Sequence, residues 1–250
     1  MSEQPILQII QDGVMTLQFN RNSKKNAITA EMYQLLADGL NQASESPEVQ
    51  LVKIIGSDSA FCAGNDLVDF LENPPNEDSS PVWQFLFALS DCRKPLIAGV
   101  NGPAVGVGTT LLLHCDLVVA SQTAVFMMPF VSLGLCPEAA SSLLLPKQCG
   151  IKKASEWLLL GERFDATEAA NFGLINKAVN TADEVTAQLD AWTKKLLKLP
   201  VESIEITRSL LRGADTSSVQ ERMKQEGEYF KQLLKSDSAQ AAFESFLNRD

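Results

Sequence analysis

Apolar and polar residues change their period along this chain, and each change marks an element. Two short β-rich runs, Pro5 to Ile10 and Val14 to Phe19, flank Gln11-Asp12-Gly13; Asp-Gly between such runs signals a hairpin. A helical period follows, with Thr29 placed to cap it and Met32, Leu35, Leu36 and Leu40 on one face. Leu51 to Ile55, apolar apart from Lys53, reads as a buried strand, followed by a turn over 56–60. Ile97 to Val100 and Leu117 to Ala120 are two more strands, and Val105 to His114 between them predicts a helix. Strand and helix alternate, which indicates an α/β architecture.

A polar, proline-bearing loop over 69–81 precedes a helix from Trp83 to Leu89. After Gly150 strand signals nearly vanish, apart from Leu174 to Val179. Ile151–Leu160, Ala166–Asn171, Ala182–Leu199, Val201–Arg212, Ser217–Lys235 and Ser238–Leu247 predict helices, with Pro200 and Gly213 as breaks. The expected organisation is an α/β core over 1–190 and a helical region over 191–250 that packs on the core or on a neighbouring subunit.

Composition narrows the chemistry. With 250 residues, 45% of them hydrophobic, the chain can bury roughly three quarters of its unfolded surface. A net charge of -10 argues against nucleic-acid binding, which depends on clustered cations, so an anionic ligand needs a local basic patch. Five cysteines (Cys62, Cys92, Cys115, Cys136 and Cys149) have no CxxC spacing and read as the reduced thiols of an intracellular protein. No apolar run approaches about 18 residues, and Met-Ser-Glu-Gln-Pro opens no signal-type segment, so a soluble, cytoplasmic protein without membrane association is expected. His114 is the only histidine and reads as a packed core residue. That excludes a multi-histidine zinc centre and leaves a Ser-His-Asp triad one poorly placed imidazole, so acid–base chemistry falls to carboxylates.

Glu138 is the candidate. It follows Pro137 and is the only charged residue from Ser121 to Pro146. Two readings stand at this point. A carboxylate among apolar residues loses hydration, and its pKa rises toward neutrality, where a proton shuttle works best; Pro-Glu also suits the first turn of a helix. Two glycine segments accompany it. Gly102-Pro103-Ala104-Val105-Gly106-Val107-Gly108-Thr109-Thr110 lacks both the third glycine of a dinucleotide fingerprint and the Gly-Lys-Ser/Thr of a Walker loop. What remains is a glycine-rich turn whose amides open a helix, or glycines that allow close helix packing. In Phe61-Cys62-Ala63-Gly64-Asn65-Asp66-Leu67, Gly64 permits a turn that exposes the next N–H. Cys62 has no flanking base to activate it as a nucleophile.

Phe61 through Leu67, Lys94-Pro95-Leu96-Ile97-Ala98, Asn101 through Gly106 and Pro129 through Ser142, in that order and spacing, resemble the crotonase (enoyl-CoA hydratase/isomerase) superfamily over most of residues 5–190. Within it the motifs look most like the peroxisomal-type Δ3,Δ2-enoyl-CoA isomerases. The resemblance implies a spiral of ββα turns with a C-terminal helical region, a homotrimer or dimer of trimers, and an acyl-CoA substrate. It implies no metal and no cofactor beyond the coenzyme A that the substrate carries. By motif position the thioester carbonyl would be held by the backbone amides of Asn65 and Val107. The two glutamates of the hydratases fall on Thr110 and Phe130, which speaks against hydration, and the isomerase glutamate falls on Glu138. Coenzyme A contacts would involve Lys24, Lys25, Ala27, Ala63, Gly64, Asp66 and Leu67, although an exposed basic turn is an equal reading for the two lysines. Asn248-Arg249-Asp250 supplies little further positive charge. Phe126, Met127, Met128, Phe130 and Leu133 are candidates for the acyl pocket, with core packing as the alternative. An acyl-CoA isomerase is the leading expectation; another crotonase-type reaction (weak hydratase, hydrolase or epimerase) or a non-catalytic CoA-ester-binding protein are the alternatives.

Overall fold

A computed structural model describes residues 4–57, 59–212 and 216–248; Gly213, Arg249 and Asp250 therefore lie outside the described residues. The chain opens with β1 (Ile6–Gln11) and β2 (Val14–Phe19), antiparallel and paired from Ile6↔Phe19 to Gln11↔Val14. Asp12 and Gly13 alone make the turn, at φ 49 and 81, the left-handed conformation a two-residue hairpin requires. Helix α1 (Ala30–Glu45) is capped by Thr29, which accepts from Met32 N at 3.4 Å, and buries Met32, Tyr33, Leu36 and Leu40. It leads to β3 (Leu51–Ile55), parallel to β2.

Each later turn repeats this crossover. Helices α2 (Leu67–Glu72) and α3 (Pro81–Asp91) connect β3 to β4 (Leu96–Val100). β5 (Pro103–Val105) and α4 (Val107–Thr110) connect β4 to β6 (Leu117–Ser121). β7 (Val125–Met127), α5 (Ser141–Ser155), β8 (Phe164–Asp165) and α6 (Ala166–Asn171) connect β6 to β9 (Lys177–Val179). The main sheet has the order β1-β2-β3-β4-β6-β9 and a smaller one β5-β7-β8. Single bridges, Cys62↔Ala104 and Ile28↔Asn65, carry the small sheet back through the earlier turns. The result is the predicted α/β spiral, in which every turn sends one short segment to a common inner layer.

Four predicted boundaries differ. The segment from Val105 to His114 is not one helix: Val105 ends β5, and α4 tightens into a 3-10 turn over Leu111–His114. The polar loop starts at Asn73, because Asp66 caps α2 by accepting from Val68 N and Asp69 N. The helix expected from Ile151 begins at Ser141, and Gly150 at φ 76 kinks it. The strand expected from Leu174 is confined to Lys177–Val179.

The C-terminal helices are α7 (Ala182–Leu196), α8 (Val201–Arg212), α9 (Thr216–Leu234) and α10 (Asp237–Leu247). α7 covers one sheet face, placing Val185 and Leu189 against Gly99, where a Cβ would meet Leu189 Cδ1 at 2.5 Å. α9 and α10 insert Val219, Met223, Phe230, Leu234 and Phe243 into the main core. Phe230 packs edge-on to both Phe70 and Trp83. Residue 190 lies within α7; of the helices beyond it, α9 and α10 share the core of the α/β part, whereas α8 buries no residue.

Candidate active site

Gly64 turns the strand that carries the first candidate amide. Ala63 N donates to Lys25 O at 3.0 Å, and strand alternation would aim the Asn65 N–H the same way. Gly64 adopts φ 91, however, and its own carbonyl accepts from Ile28 N while Asp66 N donates to Ile28 O. Both bonds of the Ile28–Asn65 bridge thus involve the residues flanking Asn65, so the Asn65 N–H faces away from Ile28, on the β5 side. A side chain at 64 would be strained by that φ and would stand 3.1 Å from Val105 O.

Val107 supplies the second amide. It is the first residue of α4, where no intrahelical acceptor exists. Gly106 holds the turn at φ 55 by donating to Met127 O, and Thr109 Oγ1 donates to Ala104 O at 2.6 Å. Among the described residues neither Asn65 N nor Val107 N donates to another main-chain group.

Glu138 is buried at 5% exposure. Its Oε1 accepts from Thr110 Oγ1 at 2.6 Å, one helical turn after Val107. Burial pushes its pKa from an ordinary 4.5 to about 7; the Thr110 hydroxyl opposes that rise, and the nearby negative charge of Glu226 adds to it. The loop around it is tightly held. Ser141 donates to Glu138 O from both N (3.0 Å) and Oγ (2.7 Å), while His114 Nε2–H donates to Ala139 O at 2.9 Å. Desolvation drives the His114 pKa down to about 4, so the imidazole is neutral and acts as a core strut. Cys62 is also buried, which pushes its thiol up to about 12 and leaves it unreactive.

Two partners of the site escaped the sequence reading. Tyr33 OH donates to Asn65 Oδ1 at 2.5 Å, and the Tyr33 pKa is raised first by burial and then by the negative charge of Glu138. Tyr33 is therefore bonded to the Asn65 turn and lies within electrostatic reach of the acid. Thr110, expected from the resemblance to match a hydratase glutamate, donates its hydroxyl to Glu138. For Thr110, motif alignment gave the position and not the role; for Tyr33, its place on the buried stripe of α1 was the only signal.

The basic turn carries Lys24 and Lys25, both exposed, and is fastened to the glycine strand from beneath. Asn26, fully buried with φ 59, donates to Ala60 O at 2.8 Å and to Phe61 O at 3.2 Å, and Ala27 N donates to Lys24 O. Arg21 donates to Ala27 O and pairs with Asp66 at 2.7 Å. Partial burial pushes the Asp66 carboxyl up, but Arg21 and the α2 amides outweigh it and hold it below its ordinary value. Asp66 is thus committed to Arg21 and the helix cap, and Leu67 begins α2 packed against the core.

Of the acyl-pocket candidates, Phe126 is fully buried and stacks on Phe164 with centroids 5.5 Å apart; Phe164 in turn stacks on Trp157. Met128 and Phe130 are buried in the same core, and Leu133 packs against it from a 3-10 turn. A cleft of about 440 Å³ opens elsewhere, among Ile97, Leu117, Leu196, Ile204, Arg208 and neighbours, and none of its lining belongs to 61–67, 105–110 or 137–142.

Comparison with known proteins agrees with this fold. The family model described as Enoyl-CoA hydratase/isomerase matches residues 9–250. Enoyl-CoA delta isomerase 2 of Rattus norvegicus is 40% identical over 215 residues, 83% of this chain and 54% of the rat protein, so the chain spans little more than half of that relative. 1,2-epoxyphenylacetyl-CoA isomerase of Escherichia coli is 31% identical across 90% of this chain and 88% of its own length. Among solved structures, OdaA of Pseudomonas aeruginosa superposes with a TM-score of 0.96 at 40% identity, covering 99% of this chain and all of that one. The chain belongs to the enoyl-CoA hydratase/isomerase (crotonase) family.

Proposed function

We propose that the protein is an acyl-CoA isomerase that moves the double bond of a 3-enoyl-CoA to the 2-trans position. The observation that supports this reading best is Glu138: a buried carboxyl, poised near neutrality, beside a turn that presents the free amides of Asn65 and Val107. Glu138 takes a proton from C2 of the thioester, and the C–H electron pair delocalises onto the carbonyl oxygen as a dienolate. The two amides hold that oxyanion; each such donor contributes about 3 kcal/mol to the transition state. Glu138 then returns the proton to C4, the C2–C3 double bond forms, and the base is regenerated. A positioned base of matched pKa is worth two to four powers of ten in rate, on the order usual for general acid–base catalysis.

The isomerase names among the relatives favour this chemistry. Thr110 and Phe130 favour it over hydration, since neither supplies a second carboxylate. Lys24 and Lys25 are the cations offered to the coenzyme A phosphates. We also propose self-association as a trimer through the C-terminal helices, where Leu210 and Leu211 are 78% and 79% exposed on α8. The deciding experiment offers the protein 3-enoyl-CoA and 2-enoyl-CoA separately and follows absorbance of the conjugated thioester. The reading predicts that absorbance appears with the first substrate and persists with the second; loss of conjugation from 2-enoyl-CoA without formation from 3-enoyl-CoA refutes it.

A further inference from the structure

A second carboxylate lies buried behind the first. Glu226, on α9, is 5% exposed. Its Oε2 accepts from Ala140 N at 2.7 Å, while Oε1 accepts from Ser142 N at 3.0 Å and Ser142 Oγ at 2.5 Å. These donors belong to the loop that aims Glu138. Within it Ala139 and Ala140 sit at φ 58 and 55, two consecutive non-glycine residues in the left-handed region, a conformation kept only where surroundings impose it. Glu226 fastens one end of that pair, at Ala140 and Ser142, and His114 fastens the other, at Ala139 O.

We propose that Glu226 is a positioning residue for catalysis: through its three hydrogen bonds to Ala140 and Ser142 it locks the strained turn that points the Glu138 carboxyl into the site, with its own carboxylate as a like-charged neighbour of that base. The inference rests on Glu138 being the base. A glutamine cannot replace it, because one oxygen cannot satisfy donors at both points and the amide NH2 would face another N–H.

The electrostatic neighbourhood is defined from every side. Glu138 is faced by Thr110 from α4, Tyr33 from α1, Cys62 from the glycine strand, and Cys136 and Glu226. Glu226 is faced by Arg222 one turn earlier on α9, and Cys136 Sγ donates to its main-chain oxygen. Arg222 also donates to Ser142 Oγ at 3.2 Å. Arg208 and Arg212 are charged neighbours of His114. Burial raises Glu226 itself to about 7 against its hydrogen bonds and Arg222, and its negative charge in turn raises Glu138.

The test measures turnover of 3-enoyl-CoA against pH for Glu226→Gln and Ser142→Ala, with amide exchange followed in the peptide spanning 137–145. For Glu226→Gln we expect kcat to fall about tenfold or more with KM nearly unchanged, as misplacement of a catalytic group implies. The acid limb of the profile should move to lower pH, since removing a like charge eases ionisation of Glu138, and exchange over 137–145 should quicken. In Ser142→Ala two of the three bonds remain, so exchange should stay near the wild-type rate. Glu226 nevertheless loses a donor that stabilises its charge, so the limb should again move down. A purely structural anchor would not shift the limb while exchange stays unchanged. If Glu226→Gln fails to fold, Ser142→Ala alone decides. An unmoved limb in Ser142→Ala, or a folded Glu226→Gln with wild-type kcat and limb, overturns the proposal. Glu138→Gln, run alongside, separates this from the base assignment: turnover there defeats the base reading, whereas exchange over 137–145 still reports whether Glu226 holds the loop.

Discussion

Thr110→Val removes the hydroxyl that donates to Glu138 while keeping side-chain volume. The bond is 2.6 Å long and buried, and it stabilises the ionised carboxylate. A hydrogen bond to a charged group is worth about 1.5–3 kcal/mol, and about 1.4 kcal/mol corresponds to one pKa unit. The Glu138 pKa should therefore climb from about 7 by roughly one to two units. At pH 7 the ionised fraction then drops from about one half to between a tenth and a hundredth, so turnover falls roughly 5- to 50-fold. Activity should return toward the wild-type plateau in alkaline buffer, because the base is intact once ionised. The assay is a pH–rate profile on 3-enoyl-CoA for wild type, Thr110→Val and Thr110→Ser, the last keeping the donor. This shift runs opposite to the one expected for Glu226→Gln, which makes the pair diagnostic. An acid limb that stays in place, or moves down, in Thr110→Val would refute the idea that this hydroxyl sets the base.

Tyr33→Phe removes the hydroxyl that donates to Asn65 Oδ1, and kcat should fall about tenfold with little change in KM, as loosened positioning of an oxyanion donor implies; steady-state kinetics that leave kcat untouched contradict this. Replacing Lys24 and Lys25 together with alanine should raise KM for the CoA thioester several-fold and flatten its salt dependence, leaving kcat alone, because both side chains are exposed and act through screened charge. Stability should also record the cost of the base. Burial raises Glu138 from 4.5 to about 7, so the folded state binds its proton more tightly than the unfolded chain. That contribution is full below pH 4.5 and is lost as pH rises through 7. It amounts to about 3 kcal/mol. Glu138→Gln escapes this loss, so urea denaturation should show it gaining about 3 kcal/mol on wild type between pH 4.5 and 8.5; a constant gap between the two proteins argues against the raised pKa.

Much of the scaffold was legible because local rules set it. Asp12-Gly13 could close only a tight hairpin, Thr29 marked the start of α1, and the mainly apolar segments of β3, β4 and β6 were long enough to be read as strands. The short inner strands β5, β7 and β8 carried no such period, since two or three residues cannot display one, and they exist through pairing with distant segments. The site divides the same way. Glu138 stood out as a lone charge in an apolar stretch, and the glycines marked the turns beside Asn65 and Val107. Its partners are 28 to 32 residues away from what they touch, or 84 to 86 in the case of Glu226. One signal was nonetheless present. Val219, Met223, Phe230 and Leu234 form the buried stripe of α9, and Glu226 occupies a position on that stripe where an apolar residue is the norm. A carboxylate on the core face of an amphipathic helix needs donors, and the loop after Pro137 supplies them.

The central claim is that one buried acid moves the proton. Measuring Glu138→Gln for both binding of a 3-enoyl-CoA and its conversion tests this most directly. The account predicts affinity within a few-fold of wild type, since the Asn65 and Val107 amides and the basic turn are untouched, together with loss of turnover by at least about two powers of ten. Conversion at the wild-type rate in that variant would contradict it.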